Sequence, residues 1–143
     1  MRAALAEAAA AADAGDVPVG AVVLDGTGSV IALGRNRREA DADPTAHAEI
    51  LAIRAAASVI GSWRLGGLTL VVTLEPCTMC AGAITSARLS RLVYGAADPR
   101  AGAVGSLWDV VRDQRLVPVP EVISGVLEAE CLNTIRTFFS ERR

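Results

Sequence analysis

The 143 residues, 52% hydrophobic and 21% charged, suit one globular domain spanning residues 1–143 and exclude two full domains or a globally disordered chain. The 14 basic residues are all arginine and stand against 16 acidic ones; the formal net charge of -2 excludes a protein that holds nucleic acid by bulk positive charge, since phosphate neutralisation needs clustered cations. Arginine without lysine, alongside 27 alanines, reads as a coding bias toward GC-rich codons.

Residues 3–14 are alanine apart from Leu5, Glu7 and Asp13, which predicts a helix with Gly15 at its end. A β-branched run at 17–24, the turn residues Asp25-Gly26-Thr27-Gly28-Ser29 and a second run at 30–33 predict a hairpin. After a polar segment, Thr45 is placed to cap a helix over 46–57. Residues 68–73 read as a strand buried on both faces, and Pro76 ends it before a helix over 77–87. A strand at 91–94, a glycine-bearing loop at 95–105, a short helix at 107–111, a weak strand at 121–124 and a closing helix at 126–139 complete the chain. The alternation predicts an α/β layered domain with a mixed sheet.

Three cysteines are too few for a disulfide scaffold and point to a reducing, cytoplasmic compartment. The opening Met-Arg-Ala-Ala-Leu-Ala superficially resembles a secretory signal, but Glu7 and Asp13 interrupt it. No apolar stretch approaches the ~18 residues of a membrane span.

The one histidine, His47, falls at a helix start with Glu49 two residues on, and Pro76-Cys77-Thr78-Met79-Cys80 opens the next helix. Cysteines three apart share a helix face, and a helix N-terminus favours the thiolate that binds metal. One imidazole and two thiolates make three zinc ligands with the fourth tetrahedral position open, the mark of a catalytic site, where bound water ionises near pH ~7. Glu49 is a poor ligand, since two residues turn about 200° around a helix, but with the metal beyond the helix end, near its axis, the carboxylate can reach the bound water and move protons to and from it. His-x-Glu with Pro-Cys-x-x-Cys resembles the pattern of zinc nucleobase deaminases. Cys131 offers a rival reading, a closed Cys₃His site without catalysis, although a buried core thiol also suits its place in the last helix.

Further runs carry a resemblance. Asp16-Val17-Pro18-Val19-Gly20-Ala21-Val22, Asn36-Arg37, Asp43-Pro44-Thr45-Ala46-His47-Ala48-Glu49-Ile50 and Thr73-Leu74-Glu75-Pro76-Cys77 are similar to the bacterial tRNA-specific adenosine deaminase family (TadA), within the cytidine deaminase-like superfamily. The likeness continues through Tyr94-Gly95-Ala96 and Gly102-Ala103-Val104-Gly105-Ser106-Leu107 to Glu130-Cys131 and Phe138-Phe139. The resemblance implies a three-layer α/β domain with a mixed five-stranded sheet between helices. It implies one zinc per subunit on His47, Cys77 and Cys80, a homodimer, no organic cofactor, and a tRNA anticodon stem-loop whose wobble adenosine is hydrolysed to inosine by a zinc-bound hydroxide. Glu49 is then the proton shuttle, the Ala48 N–H and Asn36 hold the flipped nucleotide, and Asp98 and Phe139 lie near the substrate strand.

Departures from the family pattern are Asp16 in place of glutamate, no lysine in the Asp98-Pro99-Arg100 loop, and only Ser140-Glu141-Arg142-Arg143 after the phenylalanine pair, where a longer basic tail is common. Residues 1–86 carry a net -3 and residues 87–143 a net +1, which makes Arg37, Arg100, Arg142 and Arg143 candidates for phosphate contacts. Two other functions share these residues: a zinc deaminase of a free base, nucleoside or nucleotide, and a non-catalytic RNA-binding subunit.

Overall fold

The computed structural model describes residues 1–142; Arg143, a candidate phosphate contact, lies outside the described residues. The elements in chain order are α1 (Arg2–Asp13), β1 (Gly20–Leu24), β2 (Val30–Arg35), α2 (Ala48–Ile60), β3 (Thr69–Leu74), α3 (Thr78–Ser86), β4 (Arg91–Ala96), β5 (Glu121–Ile123) and α4 (Glu128–Ser140). The strands form one mixed sheet in the order β2-β1-β3-β4-β5. β1 runs antiparallel to β2 and β3, whereas β3, β4 and β5 are parallel.

Side chains alternate across the sheet and sort into two layers. Val22 and Val71 pack with Ala4 of α1 on one face; Ala21, Val23, Leu70 and Val72 pack with Ala48, Ala52 and Ile84 of α2 and α3 on the other. α4 lies beside α1 against β3 and β4, which completes the expected three layers. Among the described residues, no helix is long and apolar enough to cross a membrane.

Two helices approach the sheet on stripes of alanine. Ala4, Ala8 and Ala11 are the buried residues of α1, and Ala48, Ala52 and Ala56 line the buried face of α2. The facing strand positions are glycines. A Cβ at Gly20 would strike the Ala4 carbonyl and lie 2.5 Å from the Ala8 nitrogen, and one at Gly34 would strike the Ala48 carbonyl and lie 2.5 Å from the Ala52 nitrogen. Helix backbone therefore rests on strand backbone, and the spacing between layers is set by the absence of side chains.

The hairpin forms as expected, with the Asp25 carboxylate accepting from the amides of Thr27 (2.9 Å) and Ser29 (3.1 Å). Three expectations change. Residues 17–19 are not strand: Pro18 has no amide to donate, and the Val19 amide closes a tight turn onto the Val17 carbonyl at 2.8 Å. Helix α2 starts at Ala48, because the Thr45 hydroxyl bonds to the Asp43 carboxylate (2.8 Å) instead of capping and His47 stands as the extended N-cap. No helix forms at 107–111; an antiparallel bridge pairs Val104 with Asp109, and the amides of Val104 and Ser106 are drawn to the Glu75 carboxylate.

The glycine contact gives a test. Gly34→Ala forces α2 off the sheet, an overpacking that costs about 3 kcal/mol, read as a lower urea midpoint at unchanged m-value. A midpoint within error of the parent would mean that the layer spacing is set elsewhere.

Candidate active site

Two helix N-termini meet at the C-terminal end of β3. The strand runs out at Leu74, and Cys77 follows as the extended N-cap of α3 (φ -74°, ψ 177°), with Cys80 one turn on. His47 is the extended N-cap of α2 (φ -75°, ψ 152°). Its Nδ1 lies 3.6 Å from the Cys77 Sγ and 3.5 Å from the Cys80 Sγ, and the ligand atoms of all three residues lie within 4.8 Å of one another. Zinc bonds of about 2.3 Å to sulfur and 2.0–2.1 Å to nitrogen at a tetrahedral angle put those atoms about 3.6 Å apart, so the group fits one zinc ion.

The protons of this trio are unevenly shared. The Cys77 thiol is pushed down to about 3, first by the hydrogen bond from Cys80, against burial, and then by His47. Cys80 is pushed up, because it holds the proton of that bond and is buried beside Glu49. The Cys77 contact raises His47. Proton-sharing sulfur and nitrogen donors of this kind release protons when they bind a metal cation.

Glu49 enters the same space. Because His47 stands outside the helix in extended backbone, the helical rotation that would have separated the two does not apply. Glu49 is 4% exposed, and burial pushes its carboxyl up to about 7, a value suited to proton transfer at neutral pH.

The group lies at the foot of a cleft of about 190 Å³ whose walls include Val17, Asn36, Ala48 and Asp98. Asn36 is buried and its amide is oriented: Nδ2 donates to the Val17 carbonyl (3.1 Å) and Oδ1 accepts from the Arg38 amide (3.3 Å). The Ala48 N–H belongs to the first turn of α2, where backbone donors lack helical partners. Val17, Leu74 and Asp98 also line an adjoining groove of about 520 Å³, whose far side carries Arg100, Arg136 and Phe139. Phe139 stands edge-on to Phe138 with centroids 5.4 Å apart and remains 45% exposed.

Seven of the eight residues singled out in the sequence thus line the cleft or the groove, and the eighth, Cys80, is buried against His47. Cys131 lines neither: it is buried, its Sγ faces the Val126 carbonyl at 3.9 Å, and the metal-binding group contains only His47, Cys77 and Cys80. Asp16 is buried next to Val17 of the cleft wall. It does not line the cleft; its carboxylate accepts from the amides of Glu39 (2.8 Å) and Ala40 (3.1 Å) and so ties down the segment after β2. Arg37 is paired with Asp41 (2.7 and 2.9 Å), and the Arg142 guanidinium stacks 3.7 Å over the Phe138 ring.

Sequence reasoning missed Arg38, which lines the cleft, and Glu75, which is buried at the end of β3. Burial works to raise the Glu75 carboxyl, but hydrogen bonds from Ser106 and from the amides of Asp98, Ser106 and Val104 hold it below the ordinary glutamate value. A carboxylate directly after an apolar strand was the available signal.

Residues 1–96 match the family model of the cytidine and deoxycytidylate deaminase zinc-binding region. The chain is 46% identical over 143 residues to the tRNA-specific adenosine deaminase of Bacillus subtilis (strain 168), covering 100% of this chain and 88% of that protein. A structure from studies of A-to-I editing by tRNA:A34 deaminases at the wobble position of transfer RNA superposes with a TM-score of 0.89 at 47% identity, covering 94% of this chain and 96% of the other. A guanine deaminase from Nitrosomonas europaea superposes with a TM-score of 0.81 at 26% identity, covering 96% and 81%.

The geometry separates the cysteines. Cys80→Ser should lose zinc in metal analysis of the purified protein, while Cys131→Ser keeps close to the parent content. Zinc lost from the Cys131 variant alone would restore the closed four-ligand site.

Proposed function

We propose, from the premise that this chain belongs to the tRNA-specific adenosine deaminase family, that residues 1–143 form a single deaminase domain that hydrolyses the wobble adenosine of a tRNA anticodon to inosine and ammonia. The observation that carries the reading is a buried carboxylate beside a three-ligand metal group, at the foot of a cleft that opens into a larger groove. A free base needs only the cleft. A nucleotide within a single-stranded loop needs room for its neighbours, and single-stranded RNA is held by stacking on aromatic groups and by contacts to splayed bases.

His47, Cys77 and Cys80 would hold one zinc per subunit. Zinc in such a site supplies Lewis-acid chemistry, lowering the pKa of water toward ~7. Glu49 accepts one proton from the attacking water and gives it to N1 of the purine as the C6–O bond forms; it then takes the second proton from the new C6 hydroxyl and gives it to the amine as the C6–N bond breaks, so that water and adenosine give inosine and ammonia. Its proton affinity, raised by burial, suits a group that must both accept and return a proton.

Asn36, oriented by Val17 and Arg38, keeps donor and acceptor capacity for the flipped nucleotide. The Ala48 N–H points the positive end of α2 into the cleft, where it would hold the base. Asp98 stands where cleft and groove meet, and the exposed Phe139 ring offers a surface for a flanking base. Of the candidate phosphate contacts among the described residues, Arg100 lines the groove, beside Arg136, whereas Arg37 and Arg142 already have partners. The protein works in the cytoplasm as a homodimer and uses no organic cofactor.

An anticodon stem-loop with a wobble adenosine should yield inosine, and Glu49→Ala should lower that rate by about a thousandfold while zinc content stays at the parent level. Turnover of free guanine with none on the RNA would transfer the assignment to the small-base deaminases. Native mass measured at micromolar concentration should correspond to two chains; a single-chain mass would refute the homodimer.

A further inference from the structure

We infer that Glu75 is a positioning residue for substrate binding: its buried carboxylate fixes the wall formed by Asp98 and Arg100, and thereby sets how tightly the RNA loop is held without taking part in the deamination step. The inference rests on the reading of the site as an RNA deaminase.

Glu75 is 2% exposed, and its own amide donates to the carbonyl of Ala96 (2.8 Å), the last residue of β4. The side chain is therefore braced at the point where the loop after β4 leaves the sheet. One carboxylate oxygen accepts from the amides of Val104 (2.9 Å) and Ser106 (3.0 Å); the other accepts from the Asp98 amide (2.9 Å) and the Ser106 hydroxyl. Among the described residues, every donor to this carboxylate comes from residues 98–106. The loop folds around it so tightly that a Cβ at Gly102 would strike the carboxylate and lie 2.6 Å from the Asp98 carbonyl.

What Glu75 holds is the substrate side of the loop. The Asp98 carboxylate is occupied locally, accepting from the amides of Arg100 (2.9 Å) and Ala101 (3.3 Å), so residues 98–101 move as one turn. The bond from the Asp98 amide to Glu75 anchors that turn from below. Neither Glu49 nor the His47, Cys77 and Cys80 group is hydrogen-bonded to the Glu75 carboxylate, which separates its effect from the chemical step.

Four donors and no required acceptor explain a carboxylate at this position. Glutamine would keep one oxygen on the Val104 and Ser106 amides, and the Ser106 hydroxyl can turn to accept from its NH₂. The Asp98 amide would then face a second donor. Glu75→Gln accordingly releases the loop at its substrate end alone.

The experiment compares zinc-loaded parent and Glu75→Gln on the anticodon stem-loop, with amide hydrogen exchange over residues 97–106 as a readout free of substrate. The variant should raise KM about fivefold, the worth of one hydrogen bond, and keep kcat within about twofold. Exchange in the 97–106 segment should quicken about tenfold, with α1 unchanged. A fall in kcat at constant KM, or no change in KM and exchange, overturns the inference. Should Glu75→Gln fail to fold, Gly102→Ala carries the test by pushing the loop off the same carboxylate: KM should rise in the same way, and an unchanged KM in the folded variant overturns the proposal. Failure of the parent to turn over the stem-loop instead refutes the functional reading, while the exchange comparison still decides whether Glu75 holds the loop.

Discussion

The near contact of α2 with the sheet is the constraint on which the site depends. His47 and Glu49 occupy the cap and first turn of that helix, so their position relative to Cys77 and Cys80, which follow β3, is fixed by how far the helix stands from the strands. Ala48, Ala52 and Ala56 on one side and Gly34 on the other bring backbone against backbone. Any bulkier pair would lift the helix by the size of a side chain, more than a metal–ligand bond can absorb.

Much of this was legible in the sequence because the signals were local. Asp25 through Ser29 carries its own turn chemistry, the β-branched run of β3 is bounded by Pro76, and the ligand spacing follows from helix geometry. The parts that were not legible depend on distant partners. Residues 17–19 have strand composition, yet Pro18 cannot complete a ladder. Residues 107–111 have the composition of a short helix, but the amides just before them are claimed by Glu75, some thirty residues earlier in the chain. Thr45 looks like a cap and is diverted by Asp43. Asp16 stands in the sequence only as a departure from the family pattern, and the fold reveals that its oxygens serve the amides of Glu39 and Ala40.

Three buried carboxylates show how surroundings divide one chemical group among different tasks. Glu75 and Asp16 are surrounded by backbone donors and act as struts. Glu49 lies beside thiols and an imidazole, and burial dominates its proton affinity. Donors from the loop it pins lower the proton affinity of Glu75, whereas burial raises that of Glu49, where a proton must move.

The alanine composition, which by itself suggests only codon usage, has a further consequence through the stripes on α1 and α2. A buried alanine has no rotamers to lose on folding and none to exchange afterwards. The helix stripe beneath His47 and Glu49 therefore adds no rotamers of its own, and where α2 meets Gly34 the two can shift only by backbone motion.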